Sequence, residues 1–340
     1  MSDSRDGFFA VSKEVFSRVM ELSVREVCAY LVIARGTGRS NTVSAWSNNA
    51  VENYTGLARS RAKAAVERLV EAGLLEKLKG GSRPQYQLME SRTEKLIEDD
   101  VYWLPNGLIT GVAGETPPIE QLKETGDKML VELLLDLYGE QNLIEDGGLQ
   151  PTIYKTLHDK KVITERAQFN IWGFDMPKYS ETTHGIELVE KHRDSEGAFE
   201  PFFDRIKTLH TMGLLEKTTH LMESVSGEPI VELNTQLDDS ARQACEALIG
   251  EDNQMIHRLE NHDYVLPVER HYKNADLVTT YRTRYKPRTK MTGGWAVERD
   301  KIQEAFQEKF LLISKGQTEN IRYTDRLVQT MQHKGDMKVA

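Results

Sequence analysis

Cysteine is scarce: Cys28 and Cys245 are the two in 340 residues, too far apart to form a metal-binding pair or a disulfide framework. That usage suits a reducing, cytoplasmic compartment. Long apolar runs are missing as well. No stretch approaches the roughly 18 residues that a membrane-spanning helix needs, so no membrane partner is expected. The first six residues, Met1 to Asp6, carry no basic stretch leading into an apolar core, which argues against secretion. The phosphate-cradling pattern Gly-x-x-x-x-Gly-Lys-Ser/Thr, the dinucleotide pattern Gly-x-Gly-x-x-Gly and the zinc pattern His-Glu-x-x-His are all absent. His257, His262, Asp263 and His271 are spaced too irregularly for a metal site. His184 and His192 sit in a polar stretch and read as surface residues. His210 and His220 flank a strand-like segment and suit acidic partners. Asp99-Asp100 and Asp238-Asp239 read as solvated charge. No catalytic residue, metal or cofactor is therefore expected, and no enzyme class is recognisable.

What is present is a chain with 39% hydrophobic and 29% charged residues, long enough for two or three domains with real cores. The net charge is −9, but it is unevenly spread. Residues 91–160 hold 14 acidic and 6 basic residues, a net of −8. Residues 59–83 hold seven basic and three acidic, a net of +4, and residues 269–290 hold seven basic and two acidic, a net of +5. Attraction of phosphate depends on potential within about one Debye length, roughly 8–10 Å in physiological salt. Two basic patches on an acidic body are compatible with nucleic-acid binding.

The N-terminal segment is punctuated by helix signals. A first helix starts at Ser12, with Val15, Phe16, Val19 and Met20 on one stripe. Ser23 and Glu26 have capping-box spacing for a second, with Leu22 and Val27 as the staple and Gly36 as its end. Residues 42–46 suit a short strand. Ser47 caps a helix to about Tyr54, Trp46 and Val51 forming its staple. Thr55-Gly56-Leu57 makes a tight turn, and a further helix covers 59–72 and stops at Gly73. Leu74-Leu75 opens a strand, residues 80–84 turn, and Tyr86-Gln87-Leu88 returns. At about 100° per residue, Ala62, Ala65, Val66 and Leu69 share the buried side of helix 59–72. Arg61, Ala64 and Arg68 cluster opposite, with Ser60 beside them.

Residues 54–77, YTGLARSRAKAAVERLVEAGLLEK, resemble the turn, recognition helix and first wing strand of the winged helix-turn-helix superfamily of bacterial DNA-binding proteins. The resemblance spans residues 10–90, about a quarter of the chain. Ala58 departs from the pattern, standing where Ser or Thr commonly caps this helix. The resemblance implies DNA reading by helix 59–72. Candidate DNA-binding residues are Ser47, Arg59, Ser60, Arg61, Lys63, Ala64 and Arg68, with Lys79 and Arg83 on the wing. Arginine can grip guanine edges or phosphate bidentately, and Ala64 lets the helix approach a groove closely and meet a thymine methyl. Glu67 and Glu71 repel phosphate, so only the first two turns should enter a groove.

A repeat appears 140 residues on: Leu69-x-x-x-Gly73-Leu74-Leu75-Glu76-Lys77 returns as Leu209-x-x-x-Gly213-Leu214-Leu215-Glu216-Lys217. Its outward positions change from Arg61, Ala64 and Arg68 to Pro201, Asp204 and Thr208, so the second copy suits packing, dimerisation or a protein partner. Helix 127–138 is apolar around almost its whole circumference and must be covered on every side. Residues 101–107 read as an ordered connector, residues 169–174 as a strand, 238–260 as one amphipathic helix, and 297–312 as a short helix before a frayed tail. Residues 281–290 interleave aromatics with cations, and Arg282, Arg284 and Lys286 suit an arm that tracks phosphates. The expected fold is mainly α with small β-wings (α+β), built from tandem winged-helix domains. The expected division is a DNA-binding domain at 1–95, a connector at 96–124, a second winged-helix-like domain at 125–236, and a helical region with basic arm and tail at 237–340. The expected function is sequence-specific binding of double-stranded DNA, as a homodimeric transcriptional regulator. A replication initiator and a protein-interaction scaffold are the alternatives.

Overall fold

A computed structural model describes residues 7–38, 41–81, 84–89, 101–141, 148–149, 153–177, 187–224, 227–272, 274–286 and 290–318. The chain forms two compact units. The first comprises Met1–Gln141, Glu187–Glu216 and Thr283–Thr292, and the second comprises Asn142–Ile186, Lys217–Arg282 and Gly293–Ala340.

The first unit begins with β1 (Phe8–Ser12), α1 (Lys13–Val19) and α2 (Val24–Arg35). Ser12 caps α1, accepting from the Val15 N–H at 3.3 Å. At α2 the Ser23 hydroxyl makes no bond to a backbone N–H and instead donates to the Glu26 carboxylate. Every residue from Val27 to Ala34 is buried, so α2 is the central helix of the unit. Around it lie β2 (Val43–Ser44), α3 (Asn48–Thr55), α4 (Arg59–Glu71), β3 (Leu75–Lys79) and β4 (Gln85–Leu88). The three strands form an antiparallel sheet in the order β2-β4-β3. β5 (Val101–Pro105) pairs with β1 in the register Phe8↔Pro105 to Ser12↔Val101, drawing the 101–107 segment into the unit. Then follow α5 (Gly107–Thr110), α6 (Pro118–Thr125), α7 (Lys128–Gly139), α8 (Glu187–Lys191) and α9 (Glu200–Thr211). The apolar circumference of α7 is covered by β5, α6 and α9 of the same unit. Its polar side is buried too. Asp136 accepts from Tyr102 Oη at 2.5 Å and Lys191 Nζ at 2.9 Å, and pairs with His192 Nε2 at 3.1 Å. His192 is fully buried, which corrects its reading as a surface residue.

The second unit holds β6 (Thr156–Leu157), β7 (Asp159–Arg166), β8 (Phe169–Asp175), β9 (Leu215–Glu223, from Lys217 onward) and β10 (Pro229–Leu233). It continues with α10 (Thr235–Ile249), α11 (Asn253–Glu260), β11 (Tyr264–Glu269), β12 (Ala275–Thr283, to Arg282) and α12 (Lys290–Ser314, from Gly293). One sheet runs β10-β9-β12-β6 and another β11-β8-β7. Phe169, Trp172 and Phe174 of β8 join α10, β11 and the Phe306, Phe310 and Ile313 side of α12 in one core. Ile171 joins Cys245, Ile249, Leu259 and Val265 in another.

These sheets correct the expectation of a mainly α fold with small wings. The chain is a full α+β mixture, with strands of seven to nine residues in β7, β8, β9 and β12. The tandem winged-helix expectation is corrected with it. In the second copy β9 pairs with β10 but also lies beside β12 in the four-stranded sheet, rather than forming a free two-stranded wing. What the repeat does encode is a helix stop. Gly73 and Gly213 adopt φ +68° and +69°, and the next N–H reaches back to Leu69 O and Leu209 O, both at 2.9 Å. A left-handed glycine closing that bond terminates a helix and launches the following strand. The single helix expected at 238–260 is two, interrupted after Ile249 by Gly250 at φ +69°. The tail beyond residue 318 lies outside the described residues.

Candidate nucleic-acid interface

Ser47 caps α3 by accepting from the Asn49 N–H at 3.4 Å. The Trp46 ring stacks on Tyr54 with centroids 5.0 Å apart, and the Arg35 guanidinium lies over it at 5.2 Å. The start and end of α3 are thus pinned through one aromatic pair to the end of α2. Gly56 closes α3 at φ +64°, and the turn leads through Leu57 into α4. Ala58 precedes α4 and provides no side-chain cap. Arg61 N and Ala62 N bond the Ala58 carbonyl at 2.8 and 3.0 Å, while the first turn carries no acidic residue. The α4 N-terminus therefore keeps the partial positive charge of its free N–H groups, which favours anions.

Ala62, Ala65, Val66 and Leu69 bury one side of α4, as the helical phase predicts. Arg59, Ser60, Arg61, Lys63, Ala64 and Arg68 are exposed on the rest. Among the described residues, the side chains of Arg59 and Arg61 meet no hydrogen-bond or ion-pair partner. Lys63 meets Glu67 at 3.6 Å, with both side chains mostly exposed; such a pair is worth a few tenths of a kcal/mol and leaves Lys63 available. Arg68 is different, its Nη1 lying 3.3 Å from Oε1 of the buried Glu26.

Between α4 and the β3–β4 ribbon runs a groove of about 990 Å³. Its lining combines basic Arg59, Lys63 and Lys77, acidic Glu67 and Glu71, and apolar Val66, Val70 and Tyr86. Lys77 and Asn48 are groove residues that sequence reasoning missed. The signal for Lys77 was the strand period: it stands two residues after the buried Leu75, opposite Tyr86, on the side facing α4. Lys79 lies past a register shift between Lys77 and Lys79, exposed and paired across the ribbon with Gln85. Arg83 is outside the described residues.

The C-terminal arm is corrected. Arg282 is 3% exposed in β12, its guanidinium donating to both Glu232 oxygens at 2.9 and 2.7 Å with Trp295 over it at 4.7 Å. Burial raises the Glu232 carboxyl, but His220 at 3.6 Å and the bonds from Arg282 outweigh it and hold the group at about 2. Arg284 is paired with Glu115 at 3.0 Å, and Lys286 is half-buried. Tyr281 is buried, so the alternation of aromatics and cations belongs to a strand and its exit rather than to a phosphate-tracking arm.

Among the described residues there is no cluster of His, Cys, Asp or Glu fit to hold a metal ion, and no helix is long and apolar enough to cross a membrane. Comparison of the chain with protein-family models, curated proteins and solved structures returns no match in any of the three.

Proposed function

We propose that the first unit is a winged helix-turn-helix that binds double-stranded DNA sequence-specifically, and that the protein acts as a transcriptional regulator. The observation that carries this reading is the outward face of α4. Arg59, Ser60, Arg61, Lys63 and Ala64 are all exposed there, at a helix start with free N–H groups and no first-turn acid. Phosphate sits best against Arg59, Lys63 and Lys77, with Arg61 reaching base edges and Ala64 allowing close approach. Glu67 and Glu71 face the same groove and limit insertion to the first two turns of α4. A single recognition helix reads only a few base pairs, so the reading includes a homodimer on a two-fold site.

Selection of bound duplexes from a random pool by the full-length protein tests it. The expected result is one enriched motif with two-fold symmetry, lost on Arg61→Ala. Recovery of no motif, or of the same motif by the variant, would overturn the assignment of the reading face.

A further inference from the structure

Arg61 and Arg68 share the exposed face of α4 but differ in what holds them. The Arg61 guanidinium meets no partner among the described residues, whereas Arg68 donates from Nη1 to Glu26 Oε1 at 3.3 Å. Glu26 is an unusual partner for a surface arginine, since its side chain is 4% exposed while that of Arg68 is 65% exposed. Its second oxygen accepts from the Ser23 hydroxyl, which is why Ser23 does not cap the backbone of α2. Both carboxylate oxygens are thereby engaged, and the group is fixed in the first turn of the unit's central helix.

We propose that Glu26 is a positioning residue that converts Arg68 from a phosphate-gripping cation into a reader of base edges. The inference rests on the DNA-binding reading above. Two physical consequences of the pairing support it. A guanidinium has five N–H donors in a planar fork. Anchoring one edge on a fixed carboxylate leaves the other edge exposed in a set orientation, with its ordering cost already met before DNA arrives. That geometry suits the paired acceptors of guanine. The same carboxylate offsets the arginine's charge, so Arg68 contributes little to the counterion release that drives non-specific affinity. An unpaired arginine such as Arg61 contributes fully to that release. Glu26 therefore trades affinity for every duplex against preference for one.

The test compares Arg61→Gln, Arg68→Gln and Glu26→Gln in the full chain, on the selected duplex and on a pool of random-sequence duplexes, over a range of salt concentrations. On the random pool, where no base is read and a free guanidinium falls to phosphate, Arg61→Gln is expected to flatten the dependence of log K on log salt by about 0.9. Arg68→Gln is expected to leave that slope unchanged on the random pool while reducing the selected-over-random preference roughly tenfold or more. Glu26→Gln removes the charge that offsets the arginine, and is expected to steepen the slope by about 0.9 and to narrow the preference. Thermal melting of each variant reports folding, and if Glu26→Gln fails to fold, Arg68→Gln decides alone. A slope that falls as much for Arg68→Gln as for Arg61→Gln overturns the positioning role and leaves DNA binding intact. Absence of salt-dependent duplex binding by the unmodified protein removes the DNA reading itself.

Discussion

Arg61, Arg68 and Arg282 carry the same charge into three different surroundings. Arg61 is exposed and uncommitted, Arg68 is tethered at one edge, and Arg282 is bonded to Glu232 and buried. Arg61→Ala is expected to weaken binding of the selected duplex by about 1–3 kcal/mol and to relax base preference. Lys77→Ala is expected to lower affinity evenly across sequences, measured by gel shift on both duplex sets. Arg282→Ala is expected to leave the salt dependence of DNA binding untouched, because its guanidinium is not presented to solvent. It is expected to destabilise the protein by about 3–5 kcal/mol in urea unfolding, since Glu232 is left buried without its main partner. The helical phase of 59–72 made Arg61 legible from sequence. Arg282 was illegible because its partner lies 50 residues away, and a buried arginine in a strand looks the same on paper as a solvated one.

Helix ends were the best-encoded elements. Ser12, Ser47 and Gly73 stand where the caps of α1, α3 and α4 need them, and each acts within a turn of its own position. Gly56→Ala places a β-carbon at φ +64°, where the left-handed conformation costs about 1–2 kcal/mol. The added carbon also meets Glu120 Oε1 of α6, though that flexible side chain can yield. A lowered thermal midpoint with α4 still helical by circular dichroism is the expected outcome, and an unchanged midpoint would contradict the role given to the turn. The strands β7, β11 and β12 were the least legible. β12 is almost wholly buried yet rich in threonine, and tertiary bonds satisfy it. Thr279 pairs with His158 and Thr219 at 2.9 and 2.8 Å, while Thr280 donates to the Leu149 and Tyr154 carbonyls. None of those partners is adjacent in sequence, so the segment reads as polar until the sheet is assembled.

At the scale of the whole molecule, a net charge of −9 coexists with the cationic face of α4, and carboxylates held in ion pairs carry part of the acidic excess. Burial raises Asp136 and Asp175, but bonds from His192, Lys191 and Tyr102 to the first, and from His262 and Lys161 to the second, bring both below the usual carboxylate range. Glu232 lies at about 2 against an ordinary 4.5. A carboxyl whose folded value is depressed stabilises fully above its unfolded value and loses that contribution as pH falls through the folded one. Glu232 alone contributes about 3 kcal/mol by this linkage. Stability is therefore expected to decline as pH falls from about 4.5 towards 2, and Glu232→Gln is expected to flatten that decline in pH-dependent urea unfolding.

The proposed DNA binding stands on phosphate contact by the exposed face of α4. The affinity of the full chain for random-sequence duplex, measured across salt concentrations, tests it most directly. A linear fall of log K with log salt is expected, shallower by about 0.9 for each of Arg59→Ala, Arg61→Ala and Lys77→Ala. A slope identical in all three variants and the unmodified protein would contradict it.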